Sequence, residues 1–321
     1  MKLAFVFPGQ GSQAVGMLDS LADRPEVAEL LQCADRALGE SLSSLIHEGP
    51  AEHLALTVNT QPAMLLAGLA CYQAWRASGG PDADVMAGHS LGEYTALTAA
   101  GGFEPEAAFA LVRIRAQAMQ EAVPVGSGTM AAILGLDDAA VLQACQQATA
   151  ALNASDGTQA GVSQVVEAAN FNAPAQVVIA GSTAAVEKAC EIALALGAKR
   201  ALRLPVSAPF HSSLLRPAGE VLSHTLAKLR VQRLRVPVLN NVDVALTDDP
   251  AVIVDALIRQ ASSPVRWVES VRRLEALGVT RVIEFGPGKV LSGLVKRIAP
   301  GLPVSAVYDA ASLETVLKEC A

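Results

Sequence analysis

At 321 residues the chain exceeds the size at which one hydrophobic core grows comfortably, so two domains are expected. Hydrophobic residues make up 51% and charged residues 17%, the balance of a soluble globular enzyme; aromatics are only 4%, so its core must be built mainly of Ala, Val, Leu and Ile. A net charge of −7, with no long basic run and no aromatic-basic alternation, argues against a nucleic-acid partner, and the absence of about 18 consecutive apolar residues leaves nothing to span a membrane.

"KLAFVF" opens the chain as a buried strand, too soon interrupted by Pro8-Gly9 to be a signal segment. "GQGSQAVG" follows as a loop entering a helix. It is not a dinucleotide fingerprint, because Gly16 comes two positions late, and Met17-Leu18 stands where a phosphate-binding loop needs Lys-Ser/Thr. Helical patterns cover 26–38 and 62–78. A short strand at 84–87 and a helix at 91–100 flank Gly88-His89-Ser90-Leu91-Gly92. A long helix begins near Pro105 and stops before Pro124. From 127 to 205 the rhythm becomes strand, helix, two strands, helix, strand, the split β-α-β order of a ferredoxin-like unit. Within it the Ser/Gly/Gln-rich stretch at 153–164 reads as a loop. Thereafter come a helix (213–229), a strand "VPVLNNV", helices at 251–260 and 265–277, a strand "VTRVIEF", a helix opened by "GPGK", and a last strand and helix. The expected fold is therefore α/β. Residues 1–126 and 206–321 form a hydrolase-like catalytic domain with a mainly parallel sheet and helices on both faces, and 127–205 form a small inserted ferredoxin-like subdomain. Five cysteines (Cys33, Cys71, Cys145, Cys190, Cys320) are odd in number and far apart, with no zinc spacing, and read as reduced thiols in a cytoplasm.

Gly-x-Ser-x-Gly between a strand and a helix is the context of a nucleophile elbow, so Ser90 is the candidate nucleophile. It needs a base. His47 and His53 lie in a polar, turn-rich region; His224 lies within a helix, where packing is its ordinary role; His89 adjoins Ser90 but diverges from it on a tight turn. His211 in "VSAPFHSS" comes late in the chain, just before a helix, and is the favoured base. No acid stands in an obvious place to orient it. Arg115 is the second unusual residue. At about 100° per residue it falls in the middle of the apolar face made by Ala108, Leu111, Val112, Ala118, Met119 and Ala122. A buried guanidinium needs an anion. That is either an acid on another element, such as Glu93, or a substrate carboxylate held by the guanidinium fork.

Taken together, "FVFPGQGSQ", "TQPA", "AGHSLGEYTAL", "RAQAMQEAVP", "NFNAPAQVVIAG", "PVSAPFHSSL", "NNVD", "RQASSPVRW" and "GPGKVLSGLVKRI" resemble the malonyl-CoA:acyl carrier protein transacylases over nearly the whole chain. The resemblance implies transfer of malonyl from malonyl-CoA to the phosphopantetheine thiol of an acyl carrier protein in fatty-acid synthesis, through a malonyl-serine intermediate and with no metal or redox cofactor. It implies Ser90 as nucleophile, His211 as base, Arg115 as the grip on the malonyl carboxylate, and the backbone N–H groups of Gln10 and Leu91 as the oxyanion hole. It further implies that the backbone carbonyl of Gln260 orients the histidine in place of an acid. Basic residues Lys199, Arg200 and Arg203, and Lys289, Lys296 and Arg297, are candidates for meeting the carrier. The loop at 153–164 is longer than the family's usual one. The alternatives are the malonyl-transferring subunit of a malonate decarboxylase, an acyltransferase choosing a branched extender, and, in another class, a serine esterase, which would need an orienting acid and no buried arginine.

Overall fold

The computed structural model describes residues 1–155, 164–206 and 208–320, so most of the loop expected at 153–164 lies outside the described residues. In chain order the first elements are β1 (Leu3–Phe7), α1 (Pro25–Leu38), α2 (Leu42–Glu48), α3 (Ala51–Leu54), α4 (Thr57–Ala77), β2 (Val85–Gly88), α5 (Leu91–Ala99) and α6 (Pro105–Glu121). Next come β3 (Gly128–Leu134), α7 (Asp138–Ser155), β4 (Val166–Ala173), β5 (Gln176–Ser182), α8 (Thr183–Ala195) and β6 (Arg200–Arg203). A 3-10 turn (Ser213–Leu215) leads into α9 (Arg216–Leu226), β7 (Val238–Leu239), β8 (Leu246–Thr247), α10 (Pro250–Gln260) and α11 (Trp267–Ala276). The chain closes with β9 (Arg281–Phe285), α12 (Val290–Ile298), β10 (Val304–Val307) and α13 (Ala310–Cys320).

The described chain divides into two compact units, 1–117 with 224–256 and 269–321, and 118–223 with 257–268. The first holds a sheet of order β10-β9-β1-β2-β7-β8, parallel except for the short β8. β1 sits inside it with all five residues buried, which is why it reads as an unbroken apolar run rather than an alternating one. The few aromatic residues are concentrated here. Phe5, Phe7, Tyr72, Trp75 and Phe285 meet edge-to-face or stacked at centroid distances between 4.8 and 6.2 Å, fastening α4 onto β1 and β9. The loops that follow β1, β2 and β9 all leave from the carboxyl ends of parallel strands, where α/β sheets place their ligand sites.

The second unit holds a fully antiparallel sheet of order β4-β5-β3-β6. Helices α7 and α8 pack on it through a small-residue cluster that includes Ala131, Ile133, Val141, Ala144, Val177, Ile179 and Ala189. The segment 257–268 joins this unit by pairing: the Val265 N–H donates to the Ala169 carbonyl and the Phe171 N–H to the Val265 carbonyl, at 2.9 and 3.0 Å.

Candidate active site

β2 ends at Gly88 and α5 begins at Leu91, so the chain turns within two residues. Ser90 makes the turn with φ 54° and ψ −109°, a conformation that costs a non-glycine residue of order 1–3 kcal/mol. A Cβ at Gly88 would overlap the Gly92 backbone, and one at Gly92 would overlap the Phe7 carbonyl, which is why glycine flanks the serine two residues away on each side. Three long-range hydrogen bonds hold the turn. The His89 N–H donates to the Phe7 carbonyl (3.0 Å), the Ser90 N–H to Asn241 Oδ1 (2.7 Å), and Asn241 Nδ2 to the Gly88 carbonyl (2.7 Å). Leu91 is the first residue of α5, so its N–H belongs to the first-turn donors that a helix cannot satisfy internally. Gln10 lies three residues beyond β1, exposed, with its side-chain oxygen accepting from Thr57 Oγ1 at 2.9 Å.

Arg115 is 1% exposed, and Ala108, Leu111, Val112, Ala118 and Met119 on its helix face are buried with it. Its Nη1 donates to Gln61 Oε1 at 2.6 Å and its Nη2 to Ser90 Oγ at 3.1 Å. The guanidinium also lies over the Tyr94 ring, 5.0 Å from the centroid. Burial draws the Arg115 pKa down, and Tyr94 and then Glu93 oppose that shift. Burial pushes the Tyr94 phenol up to about 12. Glu93, the acid weighed as a partner for Arg115, is 2% exposed and accepts the Asn241 N–H through Oε2 at 2.9 Å. The arrangement puts a cation against a hydroxyl at the mouth of a strained turn, with a neutral amide steadying the cation.

In the second unit, His211 is 4% exposed and takes a positive φ of 63°. Its Nδ1 lies 3.0 Å from the Gln260 carbonyl and 3.2 Å from that of Ser263. Carbonyls only accept, so Nδ1 carries the proton and Nε2 the basic lone pair. Ser212 Oγ donates to the Pro209 carbonyl (2.8 Å) and the Ser213 N–H to Glu167 Oε2 (2.6 Å), fixing the turn on both sides of His211. A cavity of about 580 Å³ within this unit reaches His211 past Cys145, Thr149, Glu167, Phe171 and Ser262. The other histidines have different settings. His47 is exposed beside Asp19 (2.7 Å), whose hydrogen bond raises its pKa, and His53 is exposed. His224, expected to pack, is exposed on α9, because it falls on that helix's outer face.

Two residues, one beside Arg115 and one at the Ser90 turn, carried no role in the sequence reading. Gln61 belongs to the "TQPA" run, and its signal was a glutamine 3% exposed inside a helix, which only the fold reveals. Asn241, 1% exposed, belongs to "NNVD" and stands 151 residues from Ser90 in the chain.

The acyl transferase domain family matches residues 4–300. The malonyl CoA-acyl carrier protein transacylase of Escherichia coli K12 is 49% identical over 318 residues, covering 99% of each chain. The structure of an acyl-carrier-protein S-malonyltransferase from Burkholderia pseudomallei 1710b superimposes with a TM-score of 0.94 at 58% identity, covering 99% of this chain and 100% of that one. A malonyl-transacylase solved in complex with its type II PKS acyl-carrier protein superimposes with a TM-score of 0.94 at 44% identity, covering 99% of this chain and 100% of that one.

Proposed function

Because the chain belongs to the acyl transferase family, among its malonyl CoA-acyl carrier protein transacylases, we infer that it moves malonyl from malonyl-CoA to the phosphopantetheine thiol of an acyl carrier protein, supplying fatty-acid elongation. The observation that carries this reading is Arg115: a buried guanidinium with one nitrogen on Ser90 Oγ and another on a neutral amide suits an acyl group that ends in a carboxylate. Ser90 attacks the thioester carbon while His211 Nε2 takes the hydroxyl proton. The Gln10 and Leu91 N–H groups hold the oxyanion, and the C–S bond breaks as His211 returns the proton to the departing CoA thiolate. The carrier thiol then gives its proton to His211 and attacks the malonyl ester, and Ser90 leaves with that proton. The carbonyl of Gln260 serves as the histidine's orienter; a dipole in place of a carboxylate fixes the tautomer without a second charge. The strand order and antiparallel pairing of β3 to β6 support reading 127–205 as a ferredoxin-like subdomain inserted in the catalytic domain. No described helix is long and apolar enough to cross a membrane. Drawing on a CoA thioester, with five free thiols in the chain, supports a cytoplasmic setting.

The test is mass spectrometry of the protein mixed with malonyl-CoA and no carrier, followed by addition of carrier. One malonyl adduct is expected, absent in Ser90→Ala and discharged to the carrier faster than to water. An adduct that persists in Ser90→Ala, or one discharged only to water, overturns the reading.

A further inference from the structure

A side chain from a distant segment holds the backbone of the Ser90 turn. Asn241 follows β7, the neighbour of β2 in the sheet, and is 1% exposed. It meets the turn at both ends, accepting from the Ser90 N–H and donating to the Gly88 carbonyl, each at 2.7 Å. The two backbone partners, one a donor and one an acceptor, fix which end of the amide is which. Asn241 is anchored in turn through its own N–H, which donates to Glu93 Oε2 at 2.9 Å, and Glu93 sits in the first turn of α5. The contacts therefore close a ring: Ser90, Asn241, Glu93 and the start of the helix that Ser90 precedes.

We propose that Asn241 is a positioning residue for the acyl-transfer reaction, holding the peptide before Ser90 in the one orientation that directs Oγ and the following Leu91 N–H toward the reacting carbonyl. The proposal rests on the reading of Ser90 as the acylated residue. Three observations lead to it. Ser90 keeps a φ of 54° without the freedom of glycine, so something must oppose its relaxation. The Ser90 N–H is committed to Asn241, which makes the next donor, on Leu91, the one that a developing oxyanion meets. And the amide of Asn241 accepts from the N–H through one atom and donates to the carbonyl through the other at neutral charge; an aspartate would set an oxygen against the Gly88 carbonyl and a negative charge beside the oxyanion.

The experiment measures single-turnover acylation by malonyl-CoA in wild type, Asn241→Ala and Asn241→Asp, with KM read separately. Both variants are expected to acylate about 10²-fold more slowly, the scale of a misplaced reacting group, with KM within about threefold of wild type. Acylation within twofold of wild type in both overturns the proposal. So does a loss that appears wholly in KM. A thermal-unfolding cycle covers poor folding of the single variants. In a Ser90→Gly background glycine holds the positive φ unaided, so adding Asn241→Ala is expected to lower Tm less than it does in wild type. An equal drop in both backgrounds overturns the clamp. If wild type itself gains no malonyl on Ser90, the functional reading fails, while the unfolding cycle still tests the clamp.

Discussion

In the role proposed for Arg115, the balance of charge decides which acyl group is accepted. A charged, bidentate hydrogen bond contributes about 1.5–3 kcal/mol net, and stranding a buried charge costs more. Acetyl offers a methyl where malonyl offers a carboxylate. Discrimination against acetyl-CoA is therefore expected to exceed about 10²-fold and to approach 10⁴-fold. Arg115→Ala should lower kcat/KM for malonyl-CoA by a similar factor and narrow or invert the preference. Arg115→Lys should recover only part, because a point charge makes no two-pronged contact. Measuring kcat/KM for both thioesters on the three proteins checks this; an unaltered malonyl-to-acetyl ratio in folded Arg115→Ala would make Arg115 structural. The arginine was legible in the sequence because an apolar helix face interrupted by one guanidinium is anomalous by itself. Its neighbour Gln61 was not, since a glutamine one position before a proline carries no such anomaly until α4 is seen to bury it.

Among the elements, α12 shows how a turn and the helix after it are fixed. Glu284, at 0% exposure, accepts the Leu291 N–H at 3.0 Å and the Ser292 N–H at 2.7 Å, satisfying two first-turn donors of the helix that follows the Gly-Pro-Gly turn. Burial raises its pKa against the pull of those N–H groups. The folded state thus holds this proton more tightly than the unfolded chain does. That contribution to stability is complete below the ordinary carboxylate pKa and is lost as pH rises through the folded value. Glu284→Ala is expected to cost about 1–3 kcal/mol through the two stranded donors, and to remove that slope. Urea unfolding between pH 4 and 8, as a range of about four pH units, reads both effects; unchanged stability at every pH would show that the cap carries no weight. Most element boundaries were legible from periodicity, and the departures have local causes. α4 starts at Thr57, five residues before the proline taken to open it, because burial of most of its length outweighs one lost hydrogen bond. α2 and α3 are too short to show a period. "VPVLNNV" gives only a two-residue strand because its asparagines turn inward to the Ser90 loop and to a tight turn, where Asn240 Oδ1 accepts the Asp243 N–H at 2.7 Å.

Over the whole molecule, a net charge of −7 means that an acidic partner must find local patches rather than bulk attraction. Lys199, Arg200 and Arg203 are exposed on and beside β6 in one unit, and Lys289, Lys296 and Arg297 on and beside α12 in the other. Charge reversal within either group is expected to raise KM for the carrier severalfold at low salt, and to leave KM for malonyl-CoA alone. An unchanged carrier KM for both groups would exclude these patches. The change of rhythm at 127 was visible in the sequence, since strand and helix periods alternate there in a different order. The inclusion of 257–268 in the second unit was not, because it depends on Val265 pairing with residues almost a hundred positions earlier, a distance that no local pattern encodes.

The contact between Gln61 and Arg115 also has a bearing on descent. Codons for glutamine and glutamate differ at a single base, so a protein with a full countercharge beside its guanidinium lies one mutation away. Such a change would neutralise the cation from within and leave an incoming dicarboxylic acyl group nothing to answer. In the proposed mechanism, Gln61→Glu is thus a short path to neutral acyl chains that leaves Ser90, His211 and Arg115 in place.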